Sequence, residues 1–192
     1  MLDLASRLAD ELETGWSSLA RPSQLPPPGN WVIWLILAGR GFGKTRAGAE
    51  WVRSNVESGN AKSIAIVGAT AADTRDTCVE GSSGILSVSP SWNRPIYEPS
   101  KRRLTWPNGA FATMYSAEEA DRLRGPNHDL AWCDELASWA NQQATWDNLL
   151  MTLRAGVQPP VHHHNDAEAE QVTQVTYGTS RAGCCYHGRL YV

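Results

Sequence analysis

Short apolar runs alternate with amphipathic stretches through the central part of the chain. Three of these runs, at residues 31–37, 63–68 and 130–133, consist almost entirely of apolar or small side chains. Such runs are typical of strands that are buried on both faces of a parallel sheet. Residues 46–56 and 145–153 are compatible with helices. The alternation of strands with helices predicts an α/β fold in which a mainly parallel sheet is flanked by helices.

The two ends of the chain differ from this central part, so we divide the sequence into three regions. Residues 1–30 combine a predicted helix, with an apolar stripe over residues 1–20, and a stiff proline-rich linker. Residues 31–160 hold the alternating strands and helices. Residues 161–192 differ in composition and have no continuous apolar run directly after Pro160. We therefore expect this tail to be disordered or poorly packed and the sheet to be short of a strand.

A hairpin is predicted in the middle of the central region. Residues 103–106 and 110–115 flank Pro107-Asn108-Gly109, and an Asn-Gly pair supplies the positive φ angles that a tight hairpin turn requires. Three further segments are predicted from composition: a helix over residues 70–79, a loop over residues 81–99, and a short helix or turn over residues 117–124.

A glycine-rich segment links the first predicted strand to the helix that follows it. It is Ala38-Gly39-Arg40-Gly41-Phe42-Gly43-Lys44-Thr45. A strand, a glycine-rich turn that ends in Gly-Lys-Thr, and a helix together form a phosphate-binding loop. Its backbone N–H groups, from Gly39 through Gly41 and Phe42 to Gly43, would surround phosphate oxygens at a helix N-terminus. Lys44 would reach the β- and γ-phosphates and the Thr45 hydroxyl would hold Mg²⁺, so we expect binding of a nucleoside triphosphate, with ATP and Mg²⁺ as the cofactors.

Ala38 stands where this motif usually begins with glycine. Alanine fits if that position keeps a negative φ angle. The alternative interpretation of the segment is a glycine-rich turn that binds nothing.

The third apolar run ends in two adjacent acids, Asp134 and Glu135. In parallel α/β sheets, ligands bind at the carboxyl ends of the strands, where these acids would lie. Asp134 would organise Mg²⁺, and Glu135 would polarise the attacking water. The alternative is an acid pair at a strand end that merely faces solvent.

Arginine residues supply further candidates. Arg40 lies inside the glycine-rich segment, where it could act in cis on the charge of a transferring phosphate, or could point outward into solvent. Arg122 and Arg124 could contact a phosphate or a neighbouring subunit, but solvation is the default expectation. The basic run 101–103 could face DNA, or could be a solvated hairpin flank.

Composition narrows the class of protein. The chain has 192 residues, 42% hydrophobic and 19% charged, which indicates a globular domain rather than a disordered one. A net charge of −3 excludes a uniformly basic DNA-binding module. No apolar run is long enough to span a bilayer and no signal peptide is evident, so we expect a cytoplasmic protein without a membrane partner. Cys133 is predicted to be a buried free thiol, and the cysteines form no CxxC pair, which suits a reducing compartment.

At this point the residues resemble a known family. The runs RPSQLPPPGNW (21–31), LAGRGFGKTRAGAEWVR (37–53) and RLRGPNHDLAWCDELASW (122–139) are similar to the ATPase domain of the large subunit of tailed-phage DNA-packaging terminases. The version is the one found in phages and gene transfer agents of α-proteobacterial type. The resemblance covers most of residues 15–160.

The resemblance implies specific roles for residues of this chain. Lys44 and Thr45 match the phosphate-loop residues of the family, Arg40 matches its proposed cis finger, and Asp134 and Glu135 match its acid pair. Gln24 is a candidate for adenine binding by location only. Full-length relatives are longer, carry a nuclease domain that this chain lacks, and would assemble as a ring at a portal on a procapsid, with double-stranded DNA and a small terminase subunit as partners.

The tail departs from the family. After the helix over residues 145–153 the family continues with a strand, a threonine-rich run and a Pro-basic-Pro segment that is thought to couple hydrolysis to movement. Residues 162–171, read as codons displaced by one nucleotide, permit such a continuation, so we interpret the tail as an out-of-frame translation. A metal site built from the histidines at 162–164 and 187 and the cysteines at 184 and 185 is the alternative, which the ligand spacing disfavours.

Two other functions are left open by the sequence. One is another phosphate-loop ATPase such as a helicase. The other is an inactive gene remnant, because the coupling segment is missing from the tail.

Overall fold

A computed structural model describes residues 15–29 and 31–153, together with the backbone of residues 189–191. Seven strands in these residues form one sheet in the order β1-β7-β6-β2-β5-β4-β3. Their bounds are β1 Ile33–Trp34, β2 Ser63–Gly68, β3 Ile96–Glu98, β4 Arg103–Thr105, β5 Phe111–Ser116, β6 Leu130–Cys133 and β7 Arg189–Tyr191. The first five strands in this order, β1, β7, β6, β2 and β5, are parallel to one another. The last two, β4 and β3, are antiparallel to their neighbours.

Helices connect the strands and cover both faces of the sheet. The α-helical segments of the described residues are α1 Trp16–Leu19, α2 Lys44–Glu57, α3 Ala71–Asp73, α4 Ile85–Val88 and α5 Gln142–Thr152. The segment α3 continues as a π-helical turn, Thr74–Val79, and 3₁₀ turns occupy Pro22–Gln24, Ser91–Asn93, Pro99–Lys101, Ala117–Leu123 and Leu136–Ser138. The predicted α/β fold with a mainly parallel, helix-covered sheet is therefore confirmed.

The core lies on both faces of the sheet, as the continuous apolar runs predict. Along β2, Ile64 and Ile66 face one apolar cluster, which contains α2, while Ala65 and Val67 face a second cluster, which contains α5. Side chains that alternate between two buried faces leave no polar side of the strand.

Helix α2 packs unusually close to the sheet. A Cβ atom at Gly48 would lie 2.5 Å from Cε2 of Trp132, a fully buried side chain on β6. Glycine at position 48 therefore lets the helix that follows the glycine-rich segment lie directly against the strand that carries the acid pair.

Several local predictions differ from the structure. The first strand covers only Ile33–Trp34 of the predicted residues 31–37. The hairpin forms, but only Gly109 has a positive φ angle (85°), because the turn closes through Trp106 N–H to Ala110 O instead of a two-residue loop. The predicted loop over residues 81–99 contains α4 and β3.

The prediction that the sheet is short of a strand is wrong for residues 189–191. This segment forms β7, which lies between β1 and β6 and pairs in parallel with both. The other predictions for the tail, among them the out-of-frame interpretation and the metal-site alternative, concern residues outside the described part of the chain. The same holds for most of the predicted helix over residues 1–20, of which the structure describes Trp16–Leu19.

A buried histidine just before β6 contacts side chains of β2 and β5. His128 is 1% exposed. Its Nδ1 lies 3.0 Å from the Ser63 hydroxyl and its Nε2 lies 3.0 Å from the Tyr115 hydroxyl. Burial lowers the pKa of His128 to about 4. The imidazole is therefore neutral in the folded protein at neutral pH.

Because His128 is buried in its neutral form, we expect the protein to lose stability in acid. The pKa of His128 in the unfolded chain is about 6.5, above its folded value, so the unfolded state binds more protons between these values. The contribution of His128 to the free energy of unfolding is fully present above pH 6.5 and declines as the pH falls toward 4. We expect a loss of about 2 kcal/mol between pH 7 and pH 5 that is absent in His128→Gln.

Chemical denaturation of both proteins at the two pH values measures this difference. Asp134, whose pKa is raised, contributes stability that increases as the pH falls. Both proteins contain Asp134, so the comparison between them cancels this contribution. An identical pH dependence in wild type and His128→Gln would contradict the assignment of the neutral form.

Candidate functional site

The glycine-rich segment forms a compact turn that leads directly into α2. Gly41 and Gly43 have φ angles of 80° and 89°, a left-handed region that side chains other than glycine rarely adopt. Gly43 is the residue that precedes the first turn of α2. That helix has no side-chain cap, and no acidic residue lies in its first turn. Its amino-terminal N–H groups are therefore oriented for an anion rather than already neutralised by a carboxylate.

Lys44 lies across the loop. Its Nζ donates to the carbonyl oxygen of Ala38 at 2.8 Å and to that of Gly39 at 3.3 Å. The ammonium group is thereby held at the mouth of the turn by weak, exchangeable acceptors. Phosphate oxygens at the same place would be stronger, charged acceptors for this cation.

The segment before β1 supports the loop from its other side. Gln24, which is 6% exposed, donates from Nε2 to the carbonyl oxygen of Phe42 at 2.7 Å. Arg21 donates to the same carbonyl at 2.8 Å, and its guanidinium lies 4.9 Å from the centre of the Phe42 ring. Gln24 Oε1 accepts from the Arg21 backbone N–H at 2.9 Å.

These contacts refine the sequence prediction for this segment. Gln24, named by location alone, is in direct contact with the loop. Arg21 was missed, because an exposed arginine before a proline carries no signal of its own. Two sequence features could have indicated it: the family-like run RPSQLPPPGNW, which begins at Arg21, and the spacing of three residues between Arg21 and Gln24 across a 3₁₀ turn.

The acid pair lies beside the loop, at the carboxyl end of β6. The Asp134 backbone N–H donates to Val67 O at 2.8 Å, so the chain is still paired with β2 at this residue. The pKa of Asp134 is raised to about 6, first by burial and then by the carboxylate of Glu135, while the nearby Lys44 ammonium opposes the shift. The structure thus brings both Lys44 and Glu135 within electrostatic range of Asp134.

Glu135 has an unusual backbone. Its φ and ψ angles are 47° and 52°, and the only other residue besides glycine with a positive φ in the described ranges is Arg102. Its carbonyl oxygen accepts from the Ser138 backbone N–H at 2.8 Å and from the Ser138 hydroxyl at 2.7 Å. The side chain is exposed at the sheet edge, where a water molecule would have access to it.

Cys78 lies under the acid pair. It is fully buried in the π-helical turn, close to the Asp134 carboxylate. Burial raises the pKa of Cys78 well above that of a free thiol. The prediction that Cys133 is a buried free thiol is confirmed.

The remaining candidates are Arg40, which lies within the loop, and basic residues that pair with acids. Arg40 is exposed at the tip of the turn, and the described residues offer it no ion pair or hydrogen bond. Arg102 pairs with Glu119 at 2.6 Å, Arg122 pairs with the same carboxylate at 3.2 Å, and Arg124 lies 3.3 Å from Asp121. Lys101 pairs with Glu98. The charges of the predicted DNA-facing run are therefore largely compensated by nearby acids.

Comparison with known families decides the relationship that this geometry indicates. The model of the family described as terminase large subunit, T4likevirus-type, N-terminal matches residues 35–161. The chain belongs to this family. The matched range contains most of the glycine-rich segment's surroundings, the segment itself, the acid pair and β6, but not β1.

Solved structures of a phage terminase are also similar to the chain. The ATPase domain of the large terminase of Thermus phage P74-26 matches with 20% identity and a TM-score of 0.43, over 62% of this chain and 53% of the other. An arginine mutant of that domain matches with 17% identity and a TM-score of 0.44, over 63% and 55%. This terminase chain thus spans about half the length of those structures, and among curated proteins no sequence matches it.

Proposed function

We propose that this terminase domain binds Mg·ATP at the phosphate-binding loop and hydrolyses it, as the motor domain of a phage DNA-packaging machine. The observation that carries this proposal is the juxtaposition of Lys44, at the mouth of a glycine turn with an uncapped helix N-terminus, with Asp134 and Glu135 on the neighbouring strand end. An anion site beside two carboxylates is what hydrolysis of a phosphate anhydride requires.

Each group has a separate task in this proposal. The N–H groups of the loop, from Gly39 to Gly43, and those at the start of α2 bind phosphate oxygens. Lys44 exchanges its carbonyl acceptors for the β- and γ-phosphates. Thr45 and Asp134 would hold Mg²⁺, which would neutralise charge that develops on the phosphates.

Glu135 takes the remaining chemical role. Its exposed carboxylate accepts a proton from the water that attacks the γ-phosphate. Asp134 stays deprotonated at neutral pH once a cation lies beside it, because a positive charge lowers the pKa that burial has raised. The two acids thus divide metal binding from base catalysis.

Adenine would lie against the segment before β1. Gln24 and Arg21 both contact the carbonyl of Phe42, so a base seated beside them is linked rigidly to the phosphate loop. Packaging requires several partners: double-stranded DNA, a portal or procapsid, a small terminase subunit and further copies of this chain in a ring. No helix of the described ranges is long and apolar enough to cross a membrane. A packaging role implies that the protein acts in the cytoplasm of the host cell.

Arg40 supplies a test of transition-state chemistry. It is exposed at the tip of the loop, so its removal should leave the fold and ATP binding nearly intact. If the guanidinium acts on charge that develops during transfer, Arg40→Ala should lower kcat by roughly 10²–10³-fold while the Kd of Mg·ATP changes only a few-fold.

Steady-state hydrolysis and calorimetry on Arg40→Ala give the two numbers. Arg94→Ala, which removes another exposed arginine, is the matched control. Equal losses in binding and turnover would place Arg40 in ground-state binding instead, and no loss at all would make it a solvated side chain.

A further inference from the structure

The inference concerns how Glu135 reaches the position that the proposed function requires, and it therefore rests on that function. Successive side chains of a strand point to opposite faces of the sheet. Asp134 is still paired with β2 through its N–H. If the chain continued as a strand, Glu135 would point to the face opposite Asp134, and only one of the two acids could serve the loop.

The backbone of Glu135 departs from the strand at this point. Its left-handed conformation turns the chain sharply, and β6 gives way to the 3₁₀ turn Leu136–Ser138. Because φ at Glu135 is positive, its Cβ is rotated away from the position that it would have in a continuing strand, so the two acid side chains are not forced onto opposite faces of the sheet. Left-handed geometry at a side chain such as glutamate is strained and persists only where neighbouring groups hold it.

Two neighbouring residues provide those groups. Ser138 donates twice to the Glu135 carbonyl, from its N–H at 2.8 Å and its hydroxyl at 2.7 Å. Trp139 donates from Nε1 to the Asp134 carbonyl at 3.0 Å, and its ring is 5% exposed within the second apolar cluster. Trp139 thus bonds the carbonyl of the peptide that joins the two acids. Ser138 bonds the carbonyl of the next peptide, which is that of Glu135.

We propose that Ser138 and Trp139 are positioning residues, which hold the Asp134-Glu135 backbone in the turn that directs both carboxylates to the phosphate loop. The proposed function gives neither side chain a contact with the nucleotide. Trp139 anchors the turn to the core, and the Ser138 hydroxyl fixes the orientation of the Glu135 carbonyl.

Single-turnover hydrolysis of Mg·ATP, with protein in excess, tests this assignment. Ser138→Ala removes one hydrogen-bond donor at an exposed position. Trp139→Phe also removes one donor but keeps an aromatic ring in the apolar cluster. We expect hydrolysis to slow about five- to tenfold in each, with the Kd of Mg·ATP unchanged within about twofold. Ser138→Thr, which keeps the hydroxyl, should restore the wild-type rate.

The matched control is Ser87→Ala. Ser87 is also exposed and donates its hydroxyl to a backbone carbonyl, that of Gly81, at 2.8 Å, far from the acid pair in the sequence. This variant should hydrolyse ATP at the wild-type rate. An equal loss in Ser87→Ala would mean that any such bond matters, and would overturn the assignment.

A double-mutant comparison separates positioning from general destabilisation. If Ser138 acts through Glu135, then Ser138→Ala should cause no further loss in a Glu135→Gln background. A loss of the same size in that background would overturn the proposal, as would wild-type rates in both Ser138→Ala and Trp139→Phe. If the wild-type protein binds ATP but does not hydrolyse it, the proposed function fails together with this inference, whereas hydrolysis that is insensitive to both residues refutes only the inference.

Discussion

Lys44→Ala is expected to abolish Mg·ATP binding, with an affinity at least about 100-fold lower than that of the wild type. Lys44 is the cation that the structure holds at the mouth of the loop, through the carbonyl oxygens of Ala38 and Gly39. No other side chain of the loop offers a cation to the β- and γ-phosphates from inside the turn, since Arg40 lies at its exposed tip. Removal of Lys44 therefore leaves the phosphate charge opposed only by N–H groups and Mg²⁺.

Calorimetric titration with Mg·ATP measures this effect. Lys62→Ala is the control, because Lys62 is an exposed lysine just before β2, at the opposite edge of the same sheet. Its removal changes the net charge by the same amount but should leave the Kd unaltered. Equal affinity in Lys44→Ala and wild type would remove the nucleotide from this loop.

Glu135→Gln is expected to retain Mg·ATP binding and to lose hydrolysis by roughly 10²–10⁴-fold, since an amide cannot accept the proton of the attacking water. The substitution keeps the shape of the side chain and the backbone bonds from Ser138. It removes only the negative charge and the basic site. The neighbouring Asp134 should then titrate at a lower pH, because one of the causes that raise its pKa is gone.

A phosphate-release assay and a binding titration on the same preparation separate the two effects. Glu80→Gln, which neutralises an exposed glutamate at the end of the π-helical turn, is the matched control. Unchanged hydrolysis in Glu135→Gln would exclude this residue as the base. Loss of binding together with hydrolysis would instead indicate a structural role.

The parts of the site that the sequence predicts are those that depend on local chemistry. A strand, a glycine turn, Lys44 and Thr45 follow one another within a short stretch, so their arrangement is set by neighbouring residues. The acid pair follows from the end of an apolar run. The sheet class follows from runs that are apolar on both faces, as the alternation of Ile64 and Ala65 between two clusters confirms.

Other features depend on residues that are distant in the chain or on backbone strain. Arg21 and Gln24 reach Phe42 only after the proline-rich segment folds back over the loop. The left-handed turn at Glu135 has no sequence signal, because glutamate does not favour it and the bonds that hold it come from the following turn. The pairing of β7 could not be predicted from a segment with three strand residues and no apolar run of the length seen in β2.

The position of β7 has a consequence for how the protein is made. Among the described strands, β1 pairs only with β7, at Ile33 with Leu190 and Trp34 with Tyr191. On a ribosome, the strand that leads into the phosphate loop emerges early, but its partner is synthesised near the other end of this sequence. The strands β2, β5 and β6 can therefore pair with one another before the partner of β1 has been synthesised. The proposed nucleotide site should therefore form late, because pairing between strands that are so far apart in the sequence is slow.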